Sequence, residues 1–335
     1  MPSLERDSSR IVIAGASSLL GAELRSLLEE SRFAASELRL VDEVTAVGTL
    51  TEAGGEPVII QPVEEGSFER AKFVFFTGSE EFSRVNLTAA RATGARVIDL
   101  SGTSVSEPGV VAWFPKLDWL LGREFAKDAT NFAIPSAAAT AAAGLALALG
   151  KSGLQKLSVT CFQPVSEAGR AGIEELETQT GQLLSFQGVG QPVFDTQVAF
   201  NMLDRFGPAS LRKLSAVRER VRVETRVCVD AKTATPAIQV LHAPVFYGTA
   251  FSASAELGSG AEAGKILQAC RDAGFAITAD GEAGPSNVNA AGEKAIQLAV
   301  PEPDPGRPDV WWFWGAADNI RLPAANAVKL AEMIS

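Results

Sequence analysis

The feature that most narrows the folds open to this chain is an apolar run meeting a glycine turn. Ile11-Val-Ile-Ala14 leads into Gly15-Ala-Ser-Ser-Leu-Leu-Gly21, and Leu20, Leu24, Leu27 and Leu28 then recur at helical spacing. A short apolar run closed by glycine reads as a buried parallel strand, and the leucine spacing as the helix that follows it. Residues 38–41, 58–60, 73–76 and 96–100 read as further strands, with a helix over 82–93 before the last. Strands separated by helical segments predict βαβ units with right-handed crossovers and a parallel sheet.

From residue 131 the pattern changes. Pro135-Ser136 opens an alanine-rich helix that stops at Gly150, where a helix-terminating glycine belongs. Residues 156–163 read as a strand and 167–184 as an amphipathic helix. Residues 222–229, 238–247 and 251–257 read as three more strands, and 310–314 and 324–334 as a closing strand and helix. A mixed sheet with helices on one face is predicted, an α+β domain.

Composition excludes several function classes. With 335 residues, two domains are expected; 30 basic against 40 acidic residues give a net charge of −10, which argues against a binder of phosphate backbones. Three cysteines and one histidine assemble no zinc cluster, and no CxxC occurs. Free thiols fit the reducing cytoplasm. The first residues, Met1-Pro-Ser-Leu-Glu-Arg-Asp7, are polar and unlike a signal peptide. The least polar stretch, 133–150, is broken by Pro135, Ser136 and Thr140, so no membrane span is expected.

The glycine turn stands where a dinucleotide fingerprint belongs, with helix N–H groups available to a diphosphate. A full fingerprint has three glycines; here Gly15 and Gly21 flank Ser18, whose Cβ crowds a phosphate. Asp42 ends the second strand, with Glu43 beside it. A carboxylate there accepts a ribose diol and repels a 2′-phosphate, favouring NAD over NADP. The same residues also make an ordinary strand-turn-helix with no ligand.

Six segments together resemble the aspartate-semialdehyde dehydrogenase family: Gly15–Gly21, Val97-Ile-Asp-Leu-Ser101, Gln163-Pro-Val-Ser-Glu-Ala-Gly-Arg-Ala-Gly-Ile-Glu-Glu-Leu176, Ala199-Phe-Asn201, Pro244-Val-Phe-Tyr-Gly248 and Ala317-Asp-Asn-Ile-Arg321. The resemblance implies an α/β chain. A Rossmann-type parallel-sheet domain would span 1–132, completed by the C-terminal segment 318–335. An α+β dimerisation domain with a mixed sheet would span 133–317, and the protein would be a homodimer. Cofactor contacts are expected from Gly15, Ser17, Ser18, Gly21, Asp42, Thr77, Gly78 and Asn319.

The family's reaction is the NADP-dependent, phosphate-assisted interconversion of an aspartyl phosphate and its semialdehyde. A cysteine at a helix N-terminus attacks, a histidine moves the proton, a glutamine orients the intermediate and arginines hold the anions. This chain keeps the glutamine as Gln163. It carries Ala137 at the cysteine position, Thr249 at the histidine position, and His242 and Val105 at the arginine positions. The family's Glu-x-x-Lys pair has no counterpart in 211–222, the 2′-phosphate motif is missing after Asp42, and Glu167 interrupts the turn expected near the nicotinamide.

The expectation is a scaffold or regulatory relative without the standard activity, acting through an unknown protein partner or small-molecule ligand, with NAD bound weakly or not at all and NADP disfavoured. The alternative is an NAD-dependent oxidoreductase for an aldehyde or oxo group of a different substrate, without a covalent cysteine. Cys161 lies two residues before Gln163 on the same strand face, but reads as an inert core thiol, as do Cys228 and Cys270. A Ser136–His242 hydrolase would need an acid partner and an oxyanion hole, and neither is identifiable. Trp311–Trp314 reads as core and interface packing, and Glu174-Glu175 as a solvated face.

Overall fold

The computed structural model describes residues 9–43, 48, 50–53, 56–258, 261–279 and 281–335; the polar N-terminal heptad lies outside them. Two compact units divide the chain: Met1–Phe114, Glu124–Pro135 and Pro323–Ser335 form the first, Pro115–Arg123 and Ser136–Leu322 the second. The segment 115–123, read from sequence as part of the first domain, clusters with the second. There Lys151 Nζ lies over the Trp119 ring, 4.9 Å from its centroid.

The first unit runs β1 (Arg10–Ala14), α1 (Leu19–Glu29), β2 (Glu37–Asp42), β3 (Leu50–Ala53), β4 (Glu56–Ile59), β5 (Gln61–Pro62), β6 (Ala71–Phe76), α2 (Glu80–Ala92), β7 (Arg96–Asp99), β8 (Val111–Ala112) and β9 (Asn131–Ala133). Seven strands pair in parallel in the order β5-β2-β1-β6-β7-β9-β8. Ile11 and Ile13 pack with Leu24 and Leu28 of α1, while Val12 and Ala14 face Phe82 and Leu87 of α2. Burial on both faces is why β1 reads as continuously apolar rather than alternating. Residues 58–60 are expected as a strand of the parallel sheet; 58 and 59 do end a strand, β4, but in a different sheet. β4 pairs antiparallel with β3 in a separate ribbon, and the sequence between them, Gly54-Gly55, is a hairpin signal that the apolar run obscured.

The second unit holds α3 (Leu117–Leu121), α4 (Ala137–Gly150), β10 (Lys156–Gln163), α5 (Gly169–Leu184), α6 (Leu214–Cys228), β11 (Ala237–His242), β12 (Thr249–Glu256), α7 (Ala263–Asp272), β13 (Ala276–Ile277), β14 (Gln297–Leu298), β15 (Glu302–Asp304) and β16 (Arg307–Ala317). Its mixed sheet runs β11-β10-β12-β16-β14-β13, with β15 on β16. β10 pairs parallel to β11 and antiparallel to β12. α4 is buried from Ala137 to Leu149 and shares a core with Leu157, Val159, Cys161, Phe251 and Ala253 of the sheet. A helix enclosed on all sides is apolar all round, and alanine lets its neighbours approach closely. The last helix, α8 (Arg321–Met333), begins in this unit and returns its alanines to the first unit's core.

One predicted strand fails here and a second is cut short. Of the predicted strand 222–229, all but the last residue belongs to α6 and Val229 caps it, although Val221, Val223, Thr225, Val227 and Val229 alternate like a strand. The buried residues are Leu214, Val221, Glu224, Thr225 and Cys228, a helical stripe, so packing overrides β propensity. The strand expected over 238–247 ends at His242. Pro244 has no N–H to continue a ladder, and Gly248 takes φ +83°. The run Pro244–Gly248 is instead a loop whose Val245 and Phe246 carbonyls accept N–H bonds from Val165 and Ser166. In β16, Trp311 and Phe313 are core while Trp312 and Trp314 face outward, as alternation requires.

Candidate functional site

At the glycine turn, backbones cross too closely for side chains. A Cβ on Gly15, which has φ +93°, would fall 2.1 Å from Gly78 N, and one on Gly21 would fall 2.6 Å from Gly15 O. Thr77 is buried and its hydroxyl donates to the Ala14 and Gly15 carbonyls. Ser18 turns its side chain inward, donating to Thr77 O at 2.9 Å and accepting from Gly21 N at 2.9 Å. It caps α1. Asp42 is buried: one oxygen accepts Ser17 N at 2.7 Å, the other Glu43 N at 2.8 Å. The N–H groups of Leu19 and Leu20, in the first turn of α1, have no carbonyl four residues earlier within the helix. These residues fit the diphosphate and ribose of an adenine dinucleotide: first-turn amides for one, the remaining lone pairs of Asp42 for the other. The glycines themselves are explained by the backbone crossings.

At the start of α4, Ser136 is the N-cap and Ala137 the first helical residue. Both donors of Ser136 go to one buried carboxylate: its N–H reaches Glu224 Oε2 at 2.9 Å and its hydroxyl the same oxygen at 2.5 Å. Arg220 Nε donates to Glu224 Oε1 at 2.8 Å. The positive end of α4 is therefore occupied by an anion from α6. Ser136 and His242 are not paired: the Nε2 of His242 faces the Val198 carbonyl at 3.2 Å.

Gln163 and His242 are register partners across β10 and β11. One step beyond the Phe162–Ala250 pair, Thr249 stands on the other side of Gln163. All three are buried, and neither Gln163 Oε1 nor Thr249 Oγ1 has a hydrogen-bond partner. Burial lowers the His242 pKa, against its bond to Val198, so the imidazole is held neutral. Cys161 shares the face of Gln163 but lies in the core, its thiol pushed up to about 12 by burial. Cys270 is likewise pushed up to about 12, and burial raises Cys228 as well. Val105 is buried, on a loop wound round Asp99, whose carboxylate accepts from the N–H and hydroxyl of both Ser101 and Ser104.

A cavity of about 30 Å³ opens beside Gln163 and His242, with Glu167 and Arg212 at its polar side and Phe194, Phe206, Leu214 and Val217 as its apolar wall. Glu167 is exposed, yet the protein crowded round its carboxyl raises its pKa, against the opposing pull of Arg220 and of a hydrogen bond from Asn319; water at the rim screens that push. Asn319 is occupied within its own unit, donating to Ser166 Oγ and Glu167 Oε1 and accepting from Gly248 N. A larger recess of about 380 Å³ along β2 holds no predicted site residue. Among the described residues no acid, thiol and imidazole cluster could hold a metal ion, and no helix is long and apolar enough to cross a membrane.

Sequence reasoning missed Glu175. Rather than sharing a solvated face with Glu174, it is buried and accepts the Val193 and Phe194 N–H groups. Gln179, also buried, accepts Val198 N at 2.7 Å and Ala199 N at 3.1 Å. Together they set the loop that supplies Phe194 and the carbonyl facing His242. Their four-residue spacing on one helix face was the available signal. Glu224 and Arg212 were missed too.

A parallel-sheet nucleotide-type unit joined to a mixed-sheet unit defines the two-domain dehydrogenase class of fold. The family profile "Semialdehyde dehydrogenase, NAD binding domain" matches residues 10–121, and "Semialdehyde dehydrogenase, dimerisation domain" matches 145–322. The chain belongs to the aspartate-semialdehyde dehydrogenase family. It is 28% identical over 330 residues to a "USG-1 protein homolog" of Pseudomonas aeruginosa, with 97% of each chain covered. It is 30% identical over 354 residues to one of Azotobacter vinelandii, again with 97% of each covered. A solved structure described as "a probable aspartate-semialdehyde dehydrogenase from Pseudomonas aeruginosa" superposes with TM-score 0.85 at 26% identity, covering 98% of both chains.

Proposed function

We propose that this chain is a member of its family without covalent dehydrogenase chemistry, a cytoplasmic homodimer serving as a scaffold or ligand-responsive regulator. One observation carries the reading: at the N-terminus of α4, Ala137 follows a serine whose donors are both bound to Glu224. A methyl group cannot attack a carbonyl, and a helix end neutralised by a carboxylate is poorly disposed to activate a thiolate or hold a phosphate. No cysteine substitutes, because all three thiols are buried with raised pKa. Thr249, proposed to stand at the histidine position, does not titrate near neutrality, and His242 is held neutral on a backbone carbonyl. Losing one member of a covalent catalytic unit costs roughly 10⁴ to 10⁶ in rate.

Self-association is read onto the outer face of the mixed sheet, where Trp312 and Trp314 are 47% and 41% exposed and Phe162 packs 6.1 Å from Trp314. Light scattering tests it, and a monomer would remove this part of the reading.

A second reading, an NAD-dependent oxidoreductase, draws support from the Asp42 carboxylate beside the α1 turn. Leu19 and Leu20 amides would hold the diphosphate and Asp42 the ribose. Bound NAD would supply hydride transfer, and the Asp42 and Glu43 carboxylates disfavour NADP. Two measurements decide. Phosphate-dependent NADP reduction with aspartate semialdehyde is expected to stay at the buffer control; turnover above it sinks the first reading. A ligand at a hundred times its Kd adds about 2.7 kcal/mol of stability, so a thermal-shift series with NAD, NADH, NADP and NADPH that moves for none of them removes the second.

A further inference from the structure

We propose that the cavity of the second unit is a subsite for a short hydroxymonocarboxylate, with the carboxylate on Arg212 and the hydroxyl donating to Gln163 Oε1. The inference deepens the reading of a ligand-responsive regulator without covalent chemistry. The orphaned acceptor is the first ground. Gln163 is only 4% exposed and its carbonyl oxygen has no donor. A buried acceptor left empty is costly, which makes a missing donor the natural explanation.

Arg212 is the second ground. Its guanidinium lines the same cavity, is exposed, and makes no hydrogen bond or ion pair among the described residues. Glu167, the carboxylate nearest in effect, already accepts from Asn319. A free guanidinium fork matches a carboxylate bidentately.

The rest of the cavity narrows the ligand. Its inner donor is a hydroxyl rather than an ammonium, because the one orphaned acceptor satisfies a single O–H, whereas an ammonium would bring three donors and a charge against Phe194, Phe206, Leu214 and Val217. A second carboxylate has nowhere to go: Phe194 and Phe206, with ring centroids 4.6 Å apart, form the wall with Leu214 and Val217, and burying an unpaired charge there is prohibitive. The ligand is short and only partly enclosed: about 30 Å³ admits roughly two water-sized groups, so the hydroxyl and the carbon that bears it enter while the carboxylate stays outside on the exposed Arg212. His242 keeps its Nε2 on Val198 and serves as a wall.

The test is calorimetric titration of the full chain, without cofactor, using lactate and 3-hydroxybutyrate as probes and propionate, lactamide and succinate as controls. Each hydroxy acid should bind at least about ten-fold tighter than each control, the loss expected from one unmade charge-assisted or buried hydrogen bond. Arg212→Leu, an exposed change that leaves the core intact, should weaken lactate about ten-fold. Gln163→Leu should abolish the preference for lactate over propionate while leaving propionate binding unchanged. Equal binding of lactate and propionate, no effect of Arg212→Leu, or no saturable binding of either hydroxy acid would each overturn the proposal. Those outcomes leave the dehydrogenase assay untouched, and turnover in that assay would leave the titration standing.

Discussion

Removing Glu224 tests the arrangement at the start of α4 most directly. The carboxylate is fully buried and accepts three donors: the Ser136 N–H, the Ser136 hydroxyl and Arg220 Nε. In Glu224→Leu these donors lose their acceptor and Arg220 is left near the protein interior. Breaking a buried pair by removing one partner costs about 3–5 kcal/mol. Because Arg220 keeps 29% of its side chain exposed and Ser136 is half-buried, water recovers part of the loss, so the lower end, about 3 kcal/mol, is expected. For a unit of roughly 200 residues this lowers Tm by about 6–12 °C. Arg220→Leu should cost a comparable amount, while the double variant should lose clearly less than the sum, since neither charge is then stranded. Phosphate should also stabilise Glu224→Leu more than the parent, because the helix N-terminus is then open to an anion. Calorimetry of the four proteins, with and without phosphate, supplies every quantity. A loss below about 1 kcal/mol for Glu224→Leu, or strict additivity in the double variant, would refute the reasoning.

Further outcomes follow from the same geometry. His242 has a pKa lowered by burial from its ordinary 6.5, so its contribution is present above that value and lost as pH falls through the folded pKa. The stability gap between the parent and His242→Gln, measured by urea unfolding, should therefore narrow from pH 7.5 to pH 5, and a constant gap would contradict it. Gly15→Ala places a methyl 2.1 Å from Gly78 N at φ +93° and should destabilise by more than about 3 kcal/mol with no nucleotide present; a neutral result would mean the crossing is looser than described. Iodoacetamide at pH 8 should label none of Cys161, Cys228 or Cys270 in the native protein and all three after denaturation, because all are buried with raised pKa. Rapid native labelling, read by mass spectrometry, would reopen a role for a thiol.

The candidate site was legible in part. Ala137, Thr249, His242 and Val105 were flagged by position, and the strand face shared by Cys161 and Gln163 followed from a two-residue spacing. Glu224 was not found because its segment alternates like a strand, which hid the helical stripe that buries it against Ser136. Glu175 was not found because neighbouring acids on a helix usually face water, and only the loop returning over α5 supplies the N–H groups that keep it inside. Arg212 lies in a stretch with no periodic pattern at all.

Taken alone, the order of residues determined the two kinds of sheet, the position of the α1 turn, the nearly all-buried α4 and the absence of a thiol at its start, because hydrophobic periodicity, glycine and side-chain chemistry are local properties. Only the folded chain decided which charges are spent and which remain available. Glu224 fills a helix end 88 residues away, and Gln163 is left with an empty acceptor in a cavity that Arg212, whose guanidinium has no hydrogen bond or ion pair among the described residues, also lines. Burial and hydrogen-bond partnership depend on distances between residues remote in sequence, and no pattern along the chain records them.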